Sequence, residues 1–339
     1  MKILVTGGAG YIGSHTVLSL LEAGYKVVVV DNFSNSSPKA LERVEDLTGC
    51  EILLCEGDLT ERSFLRKVFS DHPEISAVIH FAALKAVGES TIHPLRYYHN
   101  NVSGSIVLLE EMESAQVRNL VFSSSCTVYG EPENVPISED FPTGKVSSPY
   151  GRTKYMMEGI IADHSSANPA FKSAILRYFN PAGAHSSGRI GEDPRGVPEN
   201  LVPFVCQVAT GKLEKLKIFG GDYPTRDGTA VRDYLHVVDL AEAHLRALRT
   251  LEGREKGFVC NLGTGRGASV LEVIAAFERA TGIRIPYEIV DRRAGDVTEA
   301  WADPAYAEDL LNWKARRTLE EMLTDAWCWQ SGNPNGYGD

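Results

Sequence analysis

The sequence is short of three things: apolar runs long enough to cross a bilayer, cysteines or histidines at metal-ligand spacing, and surplus positive charge. Without a run of roughly 20 apolar residues, no membrane-spanning helix is expected. The six cysteines (Cys50, Cys55, Cys126, Cys206, Cys260, Cys328) form no C-x-x-C pair and the nine histidines no H-x-x-x-H. Reduced, mostly buried thiols in an intracellular chain are expected, and no metal. Lysine and arginine number 34 against 45 aspartate and glutamate, a net charge of -11. That balance repels a phosphate backbone and argues against nucleic-acid binding, while leaving room for a small anion where basic residues gather. Met1-Lys2 runs straight into Ile3-Leu4-Val5 and then turns at glycines, so a cytoplasmic location is expected.

What is present is the composition of a globular protein, 43% hydrophobic and 23% charged, in a chain of 339 residues that exceeds one small core. Short apolar, β-branched runs at 3–5, 27–30, 52–54, 77–79 and 120–122 alternate with helical stretches, and a further strand is expected at 173–176. Runs apolar on both faces read as parallel strands covered by helices on each side. The expected fold is therefore α/β, a doubly wound (Rossmann) parallel sheet with a smaller C-terminal α/β substrate domain. The boundary is placed near Asn180, giving 1–180 and 181–339, with some segments of the second part returning to the first. Glycines and prolines crowd 183–198, which reads as a long functional loop. The residues 258–261 read as a strand, 270–280 as a helix and 333–339 as a loosely held tail.

Gly7, Gly10 and Gly13 follow the first strand and open a helix. In that order the first permits a tight turn, the second lets backbone approach a pyrophosphate, and the third lets helix pack on strand. The helix N-terminus then offers unpaired N–H groups and partial positive charge to phosphates. Asp31 at the end of the second strand is placed to accept from adenosine ribose hydroxyls and would repel a 2′-phosphate, so NAD is favoured over NADP. Asp58, after the third strand, is placed to meet the adenine amino group. A glycine-rich turn without a ligand is the competing reading of the triplet alone.

Tyr150 and Lys154 are four apart and share a helix face. A lysine ammonium and an oxidised nicotinamide beside a tyrosine both favour phenolate, making it a base for an alcohol proton. Ser125, just beyond a strand expected to end at Phe122, is placed to meet the same hydroxyl. A surface tyrosine and lysine with no task is the plain alternative, because Y-x-x-x-K is a common string.

The segments 5–15, Asp31-Asn32, 80–90, 123–130, 148–151, 177–181, 228–234 and 333–337 together resemble the nucleotide-sugar epimerases of the extended short-chain dehydrogenase/reductase family, nearly end to end. The resemblance implies NAD-dependent C4 epimerisation of UDP-glucose and UDP-galactose through a 4-keto sugar, in a protein that pairs as a homodimer through the stretches 94–115 and 150–167. It implies Tyr150 as base, Ser125 as its hydroxyl partner and Lys154 as the residue that tunes the tyrosine and holds the nicotinamide ribose. Cofactor contacts are implied at Tyr11, Ile12, Asn32, Ser34, Asn35, Ser36, Leu59, Phe81, Ala82, Ala83, Lys85, Asn100 and Phe179. UDP-hexose contacts are implied at Asn180, Asn200, Leu201, Lys217, Ile218, Phe219, Arg232, Arg293 and Asp296. Ala300 stands where some members carry a tyrosine, and a small residue there leaves room for a 2-N-acetyl group. A 4,6-dehydratase or reductase on the same fold, and an NAD-binding protein without chemistry, are the alternatives. Cys126-Thr127 after Ser125 disfavour dehydration, which calls for a carboxylate pair there.

Overall fold

In the computed structural model, which describes residues 1–293 and 296–338, seven strands build one parallel sheet with the order β10-β6-β5-β4-β1-β2-β3. Its first half runs β1 (Lys2–Thr6), α1 (Tyr11–Glu22), β2 (Lys26–Asp31), α2 (Pro38–Thr48), β3 (Leu53–Glu56), α3 (Arg62–Asp71) and β4 (Ile75–His80). Two short helices, α4 (Val87–Ile92) and α5 (Pro94–Tyr97), pass through a π-helical turn (Tyr98–Ser103) into α6 (Gly104–Ser114). Then come β5 (Asn119–Ser125), α7 (Pro149–Ala167) and β6 (Lys172–Tyr178). The central strands are apolar on both faces because helices cover both. Ile3, Val5, Val27 and Val29 pack on one side, Leu4, Val28, Val30 and Val78 on the other. Strand β3 is the exception: it lies at the sheet edge and alternates between half-buried and exposed positions.

The sequence beyond Asn180 supplies β7 (Asn180–Ala182), α8 (Leu201–Ala209), β8 (Leu216–Phe219), β9 (Val231–His236), α9 (Val237–Glu252), β10 (Phe258–Leu262) and β11 (Gly267–Ser269). It closes with α10 (Val270–Thr281), β12 (Tyr287–Val290), β13 (Glu299–Ala300), α11 (Ala305–Leu311) and α12 (Leu319–Gly332). Its two small sheets join β11, β9, β13 and β7 in one and β12 with β8 in the other. They cover a separate core of Val202, Val205, Ile218, Val273, Phe277, Met322 and Leu323. The strand expected at 258–261 does not join them. It is β10, parallel to β6 in the large sheet, and Leu240, Ala243 and Leu248 of α9 pack in the same core as Val17 and Leu20 of α1.

Two expectations need correction. Ser125 is the last residue of β5 and pairs with Tyr178 on β6, so the strand runs past Phe122 through three serines. Nor are residues 333–338 loose: Tyr337 is buried, its N–H donates to Asp193 at 2.9 Å, and the Arg43 guanidinium lies 5.1 Å from its ring centre. Asn333 donates to the Gly188 carbonyl at 3.0 Å and accepts from Arg43 at 2.7 Å. Asp339 lies outside the described residues.

Candidate active site at the carboxyl edge of the sheet

The glycine turn is sterically committed. Gly7 has φ +69°, and a Cβ there would stand 2.7 Å from the Ala82 nitrogen; one on Gly13 would stand 2.2 Å from the Gly7 carbonyl oxygen. Gly10 caps α1 with no side-chain hydrogen bond, and the first turn carries no acid, so the positive end of the helix is left for an anion. Asp31 pins the turn from β2: one carboxylate oxygen accepts from the Ala9 N–H at 3.0 Å, the other from the Phe33 N–H at 3.0 Å and the Ser36 hydroxyl at 2.7 Å. A carboxylate has about four acceptor sites, so capacity remains for a ribose hydroxyl. Asp58 accepts from Asn32 and from the Thr60 N–H, each at 2.8 Å. Burial opposes its charge, but the Thr60 and Asn32 hydrogen bonds prevail and hold the carboxyl below the usual carboxylate range.

Around this turn, Phe81 and Ala82 donate their N–H groups to the Thr6 carbonyl at 3.0 and 3.1 Å, closing the exit of β4 against β1. Leu59 is buried, Ile12 and Ala83 half-buried, and Ser34 and Asn35 exposed on the loop after β2. Tyr11 donates to the Gly183 carbonyl at 2.7 Å. The Lys85 ammonium lies 5.8 Å from the Tyr11 ring centre and pairs with Glu192 at 2.8 Å. Asn100, in the π-helical turn, donates to Asn101 at 2.9 Å. An extended dinucleotide fits this crevice: a turn that only glycine can form, an uncapped helix N-terminus and an acid at the end of β2 lie in line along the strand ends.

Beside it, Ser148 caps α7 by accepting from the Gly151 N–H at 3.1 Å, which sets Tyr150 in the first turn of the helix. Ser125 is the neighbour whose hydroxyl favours the Tyr150 phenolate. Burial pushes the phenol up to about 12, with the Ser125 hydrogen bond pulling the other way. Lys154 is buried, and burial lowers its ammonium to about 8 against the opposing charge of Glu158. It donates to the Ser123 carbonyl at 2.6 Å and stands 6.0 Å from the Tyr150 ring centre. Protein groups alone therefore leave Tyr150 a phenol at neutral pH, which accords with an expectation that invoked an oxidised nicotinamide beside the lysine. Burial also pushes the Cys126 thiol up to about 12, so it stays protonated and cannot replace a carboxylate base.

Residues expected to hold a substrate come from the smaller sheets. Arg232 on β9 is register partner to Ala300 on β13 and lies 3.8 Å from the Asp296 carboxylate. The Arg293 guanidinium stacks 4.3 Å from the Phe219 ring centre at the end of β8. Ile218 is buried and Lys217 exposed on β8, whose pairing with β12 takes one edge of the strand. Asn180 opens β7 opposite Tyr234. Phe179 and Ala300 share a buried cluster with Val128 and Tyr129, against which Cys126 packs, so Ala300 reaches the neighbourhood of Ser125. Asn200 caps α8 ahead of Leu201 and donates to Glu192 at 3.1 Å, which ties it to the Lys85 side of the crevice.

Sequence reasoning passed over the buried polar group beneath Ser125. Glu158, Arg177, Ser124, Tyr129 and Asn261 form one connected hydrogen-bonded set. The available signal was Glu158 standing four residues after Lys154, on the same helix face.

A doubly wound sheet with a glycine turn at β1 and a serine–tyrosine–lysine group at the ends of β5 and α7 defines the short-chain dehydrogenase/reductase class. Within that class the chain belongs to the NAD dependent epimerase/dehydratase family, whose model matches residues 3–263. It is 59% identical over 336 residues to the UDP-glucose 4-epimerase of Erwinia amylovora and 57% identical over 337 residues to that of Bacillus subtilis (strain 168), covering 99% of each chain in both comparisons. Among solved structures, the UDP-glucose 4-epimerase of Bifidobacterium longum in complex with NAD+ and UDP superposes with a TM-score of 0.96 at 50% identity, over 99% of this chain and 100% of the other.

Proposed function

We propose that this protein interconverts UDP-glucose and UDP-galactose by NAD-dependent epimerisation at C4. The observation that carries the reading is the convergence of Ser125 at the end of β5, Tyr150 in the first turn of α7 and the buried Lys154 behind it, at the strand ends beside the glycine turn. Tyr150 takes the C4 hydroxyl proton, with Ser125 sharing it, and returns it after the sugar has turned in the pocket. NAD, when bound, supplies the reversible two-electron acceptor for the C4 hydrogen and a positive ring charge beside the phenol. Gly7, Gly10, Asp31, Asp58 and Lys85 are assigned to holding it, together with the loop residues 32–36.

Arg232 and Arg293 are assigned to the diphosphate, where a planar guanidinium matches paired oxygens. Asp296 is assigned to the uridine ribose and the backbone of 217–219 to the uracil. A firm grip on the nucleotide with slight contact to the hexose permits rotation without release. Ala300, small and next to Arg232 in register, supports turnover of UDP-GlcNAc and UDP-GalNAc as well.

A homodimer through α5–α6 and α7 is supported by the exposed apolar side chains Ile92, Leu95, Ile106, Tyr155 and Met156 on and beside these helices. A cytoplasmic setting is supported by six free cysteines. The deciding experiment supplies purified protein with UDP-galactose and no added NAD. UDP-glucose formed without net NADH is the expected result; an oxidised sugar with NADH left over would mean a dehydrogenase, and no product at all would leave a binding protein.

A further inference from the structure

We propose that Glu158 is a positioning residue for the proton chemistry of Tyr150 and Lys154, a reading that rests on the assignment of those two residues above. Glu158 lies one helical turn beyond Lys154 on α7, and both side chains are buried. Its carboxylate takes Arg177 Nε at 2.9 and 3.2 Å, Arg177 Nη2 at 2.5 Å and the Ser124 hydroxyl at 2.5 Å. Arg177 Nη1 donates onward to the Tyr129 hydroxyl at 2.9 Å, which donates to Asn261 at 2.7 Å. One carboxylate thus ties α7 to β5 at the residue before Ser125, to β6 at the residue before Tyr178, and through Arg177 to β10.

A buried ion pair is a poor choice for stability alone, because desolvating two charges cancels much of their attraction and apolar residues would hold these strands as well. What apolar residues would not provide is negative charge one turn from a buried ammonium. The groups facing Lys154 come from several elements. On α7 these are Tyr150 and Glu158. From β5 come the Ser123 carbonyl and the Phe122 ring, 5.0 Å from the ammonium. His80 of β4 is lowered to about 3 by burial first and Lys154 second, so it is neutral, and Tyr178 of β6 is hydrogen-bonded to Ser123. Among these described groups Glu158 alone carries a carboxyl group, whose charge Arg177 offsets only in part. It therefore opposes the loss of the lysine proton that burial favours and keeps the cation available to the phenol.

The test compares Glu158→Gln, which keeps the side-chain shape and one acceptor oxygen but no charge, with Glu158→Asp, which retains charge on a shorter arm. Turnover of UDP-galactose is followed against pH, with bound NAD content and thermal midpoint measured alongside. For Glu158→Gln the alkaline fall in kcat moves to lower pH by about one unit while KM changes less than about twofold. In Glu158→Asp that limb stays where it is in the parent protein. An unmoved limb in Glu158→Gln, or the same displacement in both variants, overturns the proposal. Should Glu158→Gln not accumulate folded, the limb is read in Glu158→Gln with Arg177→Met, where loss of the paired cation offsets loss of the anion: a displacement smaller than about half a unit is expected, and a displacement of about a full unit or more overturns the proposal. Tyr150→Phe run in parallel separates the premises: full turnover there removes the catalytic assignment itself, whereas an inactive Tyr150→Phe beside an unmoved Glu158→Gln limb removes only the role of Glu158.

Discussion

The Lys154 ammonium gives its short hydrogen bond to the Ser123 carbonyl, 2.6 Å away, and reaches Tyr150 only through space, 6.0 Å from the ring centre. A cation held in this way does not compete for the phenol oxygen. That geometry is compatible with the proposed proton transfer between the Tyr150 hydroxyl and a substrate alcohol.

Replacing Tyr150 by Phe removes the proposed proton acceptor and leaves the surrounding packing nearly unchanged. The expected outcome is a fall in kcat of about 100- to 10,000-fold with KM for UDP-galactose little altered. Steady-state kinetics on the purified variant check it, and retention of substantial turnover would refute the assignment.

Gly13→Ala places a methyl 2.2 Å from the Gly7 carbonyl oxygen. Backbone must move to relieve it, which opens the turn and tilts α1 from the sheet. Cofactor content after purification should drop well below that of the parent, and stability should fall by about 1–3 kcal/mol. Absorbance of denatured supernatants and urea unfolding provide the two measurements.

Ala300→Tyr should abolish turnover of the N-acetylated pair while leaving UDP-galactose turnover within about tenfold of the parent. Equal losses on both pairs would argue against a steric gate at this position. The assay is product analysis for each UDP-sugar.

Acid sensitivity follows from three buried histidines. Burial first lowers His15 and His80 to about 3 and His244 to about 4, from an ordinary value of 6.5. Below about 6.5 the unfolded chain binds protons that the folded one refuses. The stabilisation they provide is therefore complete above that pH and is lost as pH falls toward their folded values, by up to about 1.4 kcal/mol per pH unit for each. Thermal midpoints between about pH 7 and 5 should drop, and His244→Gln should flatten the decline.

Much of the candidate crevice was legible in the sequence because its residues sit at strand ends, where glycine, aspartate and serine interrupt apolar runs. Gly7, Asp31 and Ser125 each mark such an end. Ser123 and Ser124 misled: polar residues ended the apparent strand early, yet pairing with β6 carries it through Ser125. The Arg177–Glu158 pair joins positions 19 residues apart on different elements, and no local pattern announces it. Residues 333–338 look mobile by composition, since Asn, Pro and Gly dominate. Tertiary contact overrides this, with Tyr337 set against Trp329, ring centres 4.7 Å apart, and beneath Arg43.

Tyr337→Ala tests that override. Loss of the Arg43 and Gly191 contacts should free the segment around 183–198, lowering the thermal midpoint by several degrees and exposing the segment to limited proteolysis. An unchanged digestion pattern would mean that the tail does not brace it.

The placement of β10 bears on how the polypeptide is born. Strand β6 has one flank vacant until Phe258–Leu262 leaves the ribosome, so the growing chain carries an unprotected sheet edge while the intervening segments are still being translated. Cutting the gene near Asn180 would therefore yield a fragment prone to self-association, and complementation from two separately expressed halves would depend on both being present before that flank finds a neighbouring copy.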